Sequence, residues 1–258
     1  TLIEAATGLL PREDREAAEI LRAALLRQGV TIFCGSKHLH VSQVDAGVRW
    51  QLEANGSERD GVADRLLVAV GRAPNIEHLG LDAAGVAHSR KGVSVDDFLR
   101  TTNPRIYACG DVCSRFQFTH AADFMARIVI QNALFKGRRR VSTLTIPWAT
   151  YTSPEVAHVG LSPTEAKAAG IELDEFTQPL AKVDRAILDG EDEGFVRVHV
   201  RHGTDRIVGA TIVATHAGDM IGELSLAMTN KIGLSRIGAT IHPYPTQAEA
   251  IRKVGDLY

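Results

Sequence analysis

"TTNPRIYACGDV", Thr101 to Val112, is the stretch on which the fold turns. The β-prone run Ile106-Tyr107-Ala108-Cys109 delivers Gly110-Asp111, and a helical pattern opens shortly afterwards at Thr119-His120-Ala121. A glycine permits close approach of the backbone, and a carboxylate just after it can accept hydrogen bonds from sugar hydroxyls. The start of the following helix offers backbone N–H groups to a partial negative charge. That combination suits a flavin nucleotide: Asp111 for the ribityl or phosphate-linked hydroxyls, and the His120-Ala121 helix start for the electron-rich pyrimidine edge. Taken alone, a Gly-Asp at a strand end is a turn.

Upstream, "LLVAVGRAPNIEHLGLD" (residues 66–82) brings Gly71 and Arg72 into the turn Ala73-Pro74-Asn75. The low polarity of "ADRLLVAVG" predicts a strand buried on both faces. Nearer the start, "TLIEA" reads as a strand carrying Glu4. "REDREAAEILRAALLRQG" has helical period and stops at Gly29, and "VTIFCG" is the next strand. "LHVSQVDAGVRWQLEANGSERD" predicts a hairpin-rich meander with Ala54-Asn55-Gly56-Ser57 at its tightest turn. "VAHSRKGVSVDDFLRTTNPRIYACGD" adds short strands, "RIYACG" being the last.

Downstream, "FTHAADFMARIVIQNALFKG" predicts a long amphipathic helix ending at Gly137. The basic run Lys136-Gly137-Arg138-Arg139-Arg140 has no interleaved aromatics and reads as a solvated linker. With "VSTLTIPWATYTSPE" it forms a connection of changed composition, where a domain boundary is expected. Beyond lie "EVAHVGLSP", the helix "SPTEAKAAG", the strands "FVRVHV" and "IVGATIVA", and the helix "GDMIGELSLAMTNKIG". The proline-rich "HPYPTQAEA" then runs into a short helix. A β-meander with helices on one side predicts an α+β domain.

The formal charge of −2 creates no field that draws the chain to nucleic acid or to a membrane. Three cysteines, Cys34, Cys109 and Cys113, are too few for a secreted disulfide framework. Cys109 and Cys113 lack the second ligand pair of a zinc site, and no run of about 18 apolar residues is present. The expectation is a cytoplasmic protein with no metal, nucleic-acid or membrane partner.

In order and spacing, "VGRAPN" followed by "TTNPRIYACGDV" resembles the flavoprotein pyridine nucleotide–disulfide oxidoreductases. The resemblance continues through "IPWATYTSPEVAHVGLSPTEA", similar to the opening of that family's dimerisation domain. It ends in "IHPYPTQAEAI", similar to the family's C-terminal His-Pro-Thr-x-x-Glu segment, and it is co-linear over essentially the whole chain. It implies a fold of mixed α/β and α+β class, with partial Rossmann-like nucleotide-binding segments followed by an α+β dimerisation domain. Residues 1–70 then form the C-terminal part of the NAD(P)-binding domain, 71–140 the C-terminal part of the FAD-binding domain, and 141–258 the dimerisation domain. It also implies a C-terminal portion of a longer protein, entered at the second strand of the NAD(P) domain. The Gly-x-Gly-x-x-Gly turn and the redox-active Cys-x4-Cys pair are not in the sequence given; Cys109 and Cys113 flank Gly110-Asp111 and are not that pair.

The resemblance assigns FAD to Gly110, Asp111, His120 and Ala121, with Gly71 and Arg72 also on the cofactor side. Glu4 falls where the family contacts the adenosine ribose. A carboxylate there accepts from both hydroxyls and repels a 2′-phosphate, so NADH is favoured over NADPH, although Arg12 or Arg15 nearby could tolerate a phosphate. Aligning Pro245-Thr246 and Glu249 puts Tyr244 at the position of the catalytic histidine, with His242 two residues earlier. A phenol titrating near about 10 is a poor base where histidine titrates near about 6.5, which argues against ordinary lipoamide or glutathione reduction. Tyr244 and the stretch "VDRAILDGEDEGFVRVHV" lean instead towards mercuric reductase-like members, with interface packing as the alternative role for Tyr244. The implied function is NAD(P)H oxidation through FAD and a cysteine pair to a small-molecule or metal-ion acceptor, in a homodimer. The alternatives are a dihydrolipoamide dehydrogenase-like, quinone or transhydrogenase flavoenzyme, and an isolated non-catalytic dimerisation module.

Overall fold

In the computed structural model, which describes residues 1–258, β1 (Leu2–Ile3) pairs in parallel with β2 (Ile32–Phe33) through helix α1 (Arg15–Arg27). Asp14 caps α1 by accepting from the Glu16 and Ala17 N–H groups, while Glu16 in the first turn and Arg27 in the last suit the helix dipole. Ala17, Ala18, Leu21 and Ala24 form its buried stripe. The meander follows as β3 (Lys37–Val44), β4 (Gly47–Ala54) and β5 (Ser57–Ala63), paired in that order. Asn55 and Gly56 both have positive φ, 52° and 71°, the conformation a tight two-residue hairpin turn demands.

The chain divides into two compact units, residues 1–67 with 147–258, and residues 68–146. The second unit contains the small hairpin β6 (His88–Ser89) and β7 (Gly92–Val93), a 3₁₀ turn over Gly110–Val112, and helix α2 (Thr119–Leu134). Its core gathers Leu99, Ala121, Met125 and Ile128.

Three expectations need correction here. The stretch "LLVAVG" is not a buried strand: Leu67 is 88% and Val70 92% exposed, and the stretch belongs to no ladder. A parallel-sheet strand is held by neighbours on both sides, and no strand of the chain pairs with this one. "RIYACG" is likewise reduced to one bridge, Arg100 to Tyr107, for the same reason. At the end of α2 the left-handed residue is Lys136 (φ 52°), and Gly137 instead closes the turn with its N–H on the Gln131 carbonyl.

In the first unit, β8 (Pro147–Thr150), β9 (Glu155–Gly160), β10 (Leu173–Pro179), β11 (Phe195–Arg201) and β12 (Ile207–Ala214) form an antiparallel sheet in the order β10-β11-β12-β9-β8. The connection expected around "IPWATYTS" thus contributes an edge strand, and β10 was not anticipated. Helices α3 (Pro163–Ala168) and α4 (Asp184–Asp189) lie in the connections, α3 starting with a full capping box between Ser162 and Glu165. One sheet face, with Ala157, Val159, Val196, Val198, Ala210 and Ile212, packs on α5 (Ala217–Thr229), α6 (Leu234–Gly238) and α7 (Glu249–Gly255). The reverse face, at Val156, Phe195 and Val213, takes Ala17 of α1. Helices therefore cover both faces, where sequence pattern predicted one. No helix is long and apolar enough to cross a membrane.

Candidate functional site

Gly110 is buried with φ 76°, and a Cβ added there would lie 3.0 Å from the Ala122 Cβ of α2. The 3₁₀ turn and the helix start therefore touch through a residue that only glycine fills. Asp111 follows in the 3₁₀ turn, exposed, and its carboxylate accepts no hydrogen bond from the protein. Helix α2 begins after Phe118 without a side-chain cap. Ala121 is buried in the core, so it can offer a ligand only its backbone, while the exposed His120 ring stacks on Phe118 at 5.4 Å. A close-packed glycine, a carboxylate with no protein partner and an uncapped helix start fit the donors and acceptors of a flavin nucleotide. Gly71 (φ 116°) and Arg72 lie exposed on the unpaired segment. Burial, with Cys109 nearby, pushes the Cys113 thiol up to about 11, so at neutral pH it is a poor nucleophile.

Glu4 stands at the carboxyl end of β1. Its N–H bonds the Phe33 carbonyl at 2.8 Å, its carbonyl accepts from Ser36, and Oε1 accepts from the Ala6 N–H at 2.7 Å. The carboxylate is thereby held at the end of a parallel ladder, where open α/β sheets bind ligands. Of the two arginines considered for a phosphate, Arg15 is committed. It donates to the carbonyls of Leu9 at 3.1 Å and Glu13 at 2.9 Å, and also to that of Leu10. Arg12 is exposed.

At the C-terminus the three candidate residues do not bond to one another. Tyr244 is 68% exposed, and its hydroxyl donates to Asp184 Oδ2 at 2.9 Å. That hydrogen bond and the carboxylate's charge raise the phenol's pKa further, so Tyr244 stays protonated. The His242 ring is nearly buried, with Nδ1 2.9 Å from the Thr240 carbonyl and Nε2 2.9 Å from Glu223 Oε1. The Thr240 carbonyl can only accept, and the Glu223 carboxylate lies within hydrogen-bond reach of the other ring nitrogen. Glu249 is buried at the start of α7; Oε1 accepts from Arg252 at 3.1 Å, and Oε2 has no hydrogen-bond partner. Gln247 donates to Glu191 at 2.7 Å, so "HPYPTQAEA" is laced to "VDRAILDGEDE" at two points.

Asp184 and Glu223, the partners of Tyr244 and His242, were missed by sequence reasoning. Asp184 lay inside a stretch already of interest, whereas nothing in the sequence marked Glu223, which reaches His242 only because α5 runs past the loop.

Residues 1–126 match the family model described as pyridine nucleotide-disulphide oxidoreductase, and residues 146–254 match that family's dimerisation domain. The chain is 35% identical over 253 residues to a mercuric reductase of Staphylococcus aureus, covering 98% of this chain and 46% of the relative. It is 36% identical over 259 residues to a dihydrolipoyl dehydrogenase of Thermus scotoductus, covering 99% and 56%. Among solved structures, the HOCl-induced flavoprotein disulfide reductase RclA of Escherichia coli superposes with a TM-score of 0.86 at 29% identity, over 99% of this chain and 58% of the other. LpdA of Mycobacterium tuberculosis gives a TM-score of 0.88 at 27% identity, over 99% and 55%. The chain spans about half the length of the curated relatives it matches.

Proposed function

The chain belongs to the pyridine nucleotide-disulphide oxidoreductase family, and from that premise we propose that it supplies the flavin-gripping turn, the ribose-reading carboxylate and the dimer-forming sheet of an FAD-dependent NAD(P)H oxidoreductase. The observation that carries the reading is the buried, close-packed Gly110 presenting an exposed, unpartnered Asp111 beside an uncapped helix. Asp111 accepts hydroxyl hydrogen bonds of FAD, and the first turn of α2 lies at the pyrimidine edge, where its dipole favours negative charge. When bound, the flavin supplies the hydride-accepting chemistry that links NAD(P)H to an acceptor. Glu4 binds the adenosine ribose and favours NADH, because Arg15 is occupied by backbone carbonyls and the carboxylate repels a 2′-phosphate.

The acceptor side is read as mercuric reductase-like, with a small molecule or metal ion as acceptor. Tyr244, held protonated by Asp184, contacts the acceptor across a homodimer interface without serving as a base. His242 and Glu249 support the same loop from behind, each bonded within this chain. The exposed Ile241 beside them adds apolar surface that a second copy covers.

Two measurements test this reading. The purified chain, incubated with FAD and desalted, is expected to retain flavin absorbance, and Asp111→Ala to weaken retention on the order of tenfold. Equal retention by the variant removes Asp111 from the site, and a colourless wild type points instead to a dimerisation module without cofactor. Glu4→Arg is expected to move the NADPH-to-NADH affinity ratio on the order of tenfold towards NADPH in a titration; an unmoved ratio counts against Glu4.

A further inference from the structure

Besides its apolar contacts, helix α1 is fastened to the reverse face of the five-stranded sheet by one mostly buried guanidinium at its N-terminus. Arg197, in the middle of β11, has a side chain only 11% exposed. Its Nη1 donates to Asp14 Oδ2 at 2.7 Å, its Nη2 to Glu16 Oε2, and its Nε to Thr177 Oγ1 at 3.0 Å. Glu175 Oε1 lies 3.3 Å from Nε, and the guanidinium sits over the Phe195 ring at 4.3 Å.

Asp14 serves two masters. Through Oδ1 it caps α1, accepting from the Glu16 and Ala17 N–H groups, and through Oδ2 it accepts from Arg197. Burial opposes ionisation of this carboxyl, but the Arg197 hydrogen bond and the two backbone N–H groups outweigh it and hold the pKa below the ordinary value. Beside it, Trp148 of the edge strand donates its indole N–H to Glu13 at 2.7 Å. At the other end of α1, Arg27 pairs with Glu193. Between Glu4 and Asp14 the chain is a loop whose carbonyls at Leu9, Leu10 and Glu13 are gathered by Arg15. The loop is therefore strung between the end of β1 and the anchor that Arg197 makes.

We propose that Arg197 is a positioning residue for the dinucleotide segment: from the dimerisation sheet it sets the N-terminus of α1 and, through the Arg15-laced loop, the placement of Glu4. The forked guanidinium is required because two carboxylates must be met at once in a fixed plane, which a lysine ammonium cannot do. A role for Glu4 in coenzyme binding rests on the reading above; the clamp does not.

The test is hydrogen exchange on the 258-residue chain, comparing wild type with Arg197→Met, Arg197→Lys and Asp14→Asn. Asparagine still caps a helix, so Asp14→Asn removes the charge offered to Arg197 and leaves the cap. In Asp14→Asn and Arg197→Met, the amides of residues 5–20 are expected to exchange on the order of tenfold faster while those of β11 and β12 keep their protection. Arg197→Lys is expected to fall between. Unchanged exchange over residues 5–20 in Asp14→Asn overturns the proposal, even if Arg197→Met unfolds the sheet. NADH titration of the same variants is the second readout: weaker binding that tracks the exchange supports the coupling to Glu4, and unchanged binding overturns it. A wild type that binds no NADH sinks the reading of Glu4, and the exchange result still decides the clamp.

Discussion

Gly255→Ala is expected to destabilise the unit that carries the C-terminal loop by about 3 kcal/mol. Helices α6 and α7 cross backbone to backbone. A Cβ on Gly255 would lie 2.5 Å from the Gly238 nitrogen, 2.7 Å from its Cα and 3.0 Å from the Leu234 carbonyl oxygen. A Cβ on Gly238 would meet the Gly255 carbonyl carbon at 2.8 Å. Neither neighbour is a flexible side-chain tip, so one helix must move, and both are tied to the core through Leu234, Ile237, Ile251 and Val254. The loop between them carries His242 and Tyr244, so the crossing also sets the candidate acceptor site. Thermal unfolding should show a midpoint lower by roughly 6–12 °C. Gly222→Ala is the matched control. That glycine sits exposed in α5 with nothing within 4 Å of an added Cβ, so the substitution should raise stability by about 0.5–1 kcal/mol. Equal midpoints for the two variants would refute the close crossing.

Acidification should loosen the same sheet from its reverse face. His158, buried in β9, lies between Thr211 Oγ1, 2.9 Å from Nδ1, and the Gly160 carbonyl, 3.3 Å from Nε2, with its ring 4.7 Å from that of Trp148. The carbonyl can only accept, so Nε2 carries the hydrogen and Nδ1 accepts from the Thr211 hydroxyl. Burial drives the pKa down to about 4, against the upward pull of the Gly160 carbonyl and the charges of Glu165 and Asp14, while His199 adds a downward push. The folded state thus prefers the neutral ring, and the unfolded state takes up a proton near 6.5, the ordinary value for a histidine. The stabilisation is complete above that value and is lost as pH falls from 6.5 towards about 4, in total on the order of 3 kcal/mol. Glu13 runs the other way: burial raises its carboxyl above the usual range, so protonating it relieves a cost as the solution is acidified. Comparing His158→Gln with wild type removes that background. The variant's unfolding free energy should be flatter across this window, and parallel curves would exclude His158 as the source.

Much of this fold is written locally. The runs "FVRVHV" and "IVGATIVA" read as strands became β11 and β12, Asn55-Gly56 placed the hairpin turn, and the helical period stopping at Gly29 found α1. Gly110-Asp111 ahead of α2 was legible too, because a glycine, a carboxylate and a helix start lie within a few residues of one another. What the sequence by itself determined, then, were elements whose hydrogen bonds and caps close over short spans, and the family to which their order corresponds.

Tertiary structure decided the partnerships. "LLVAVG" has the composition of a central strand but no neighbour to pair with, and it lies exposed. The edge strand at Pro147–Thr150 exists because β9 offers it a ladder, not because of its own pattern. Tyr244 finds Asp184, His242 finds Glu223, and Arg197 reaches back to Asp14 and Glu16. Each of these bonds joins residues far apart in sequence. A side chain's local pattern carries no record of which distant donor or acceptor the packing will bring within about 3 Å of it.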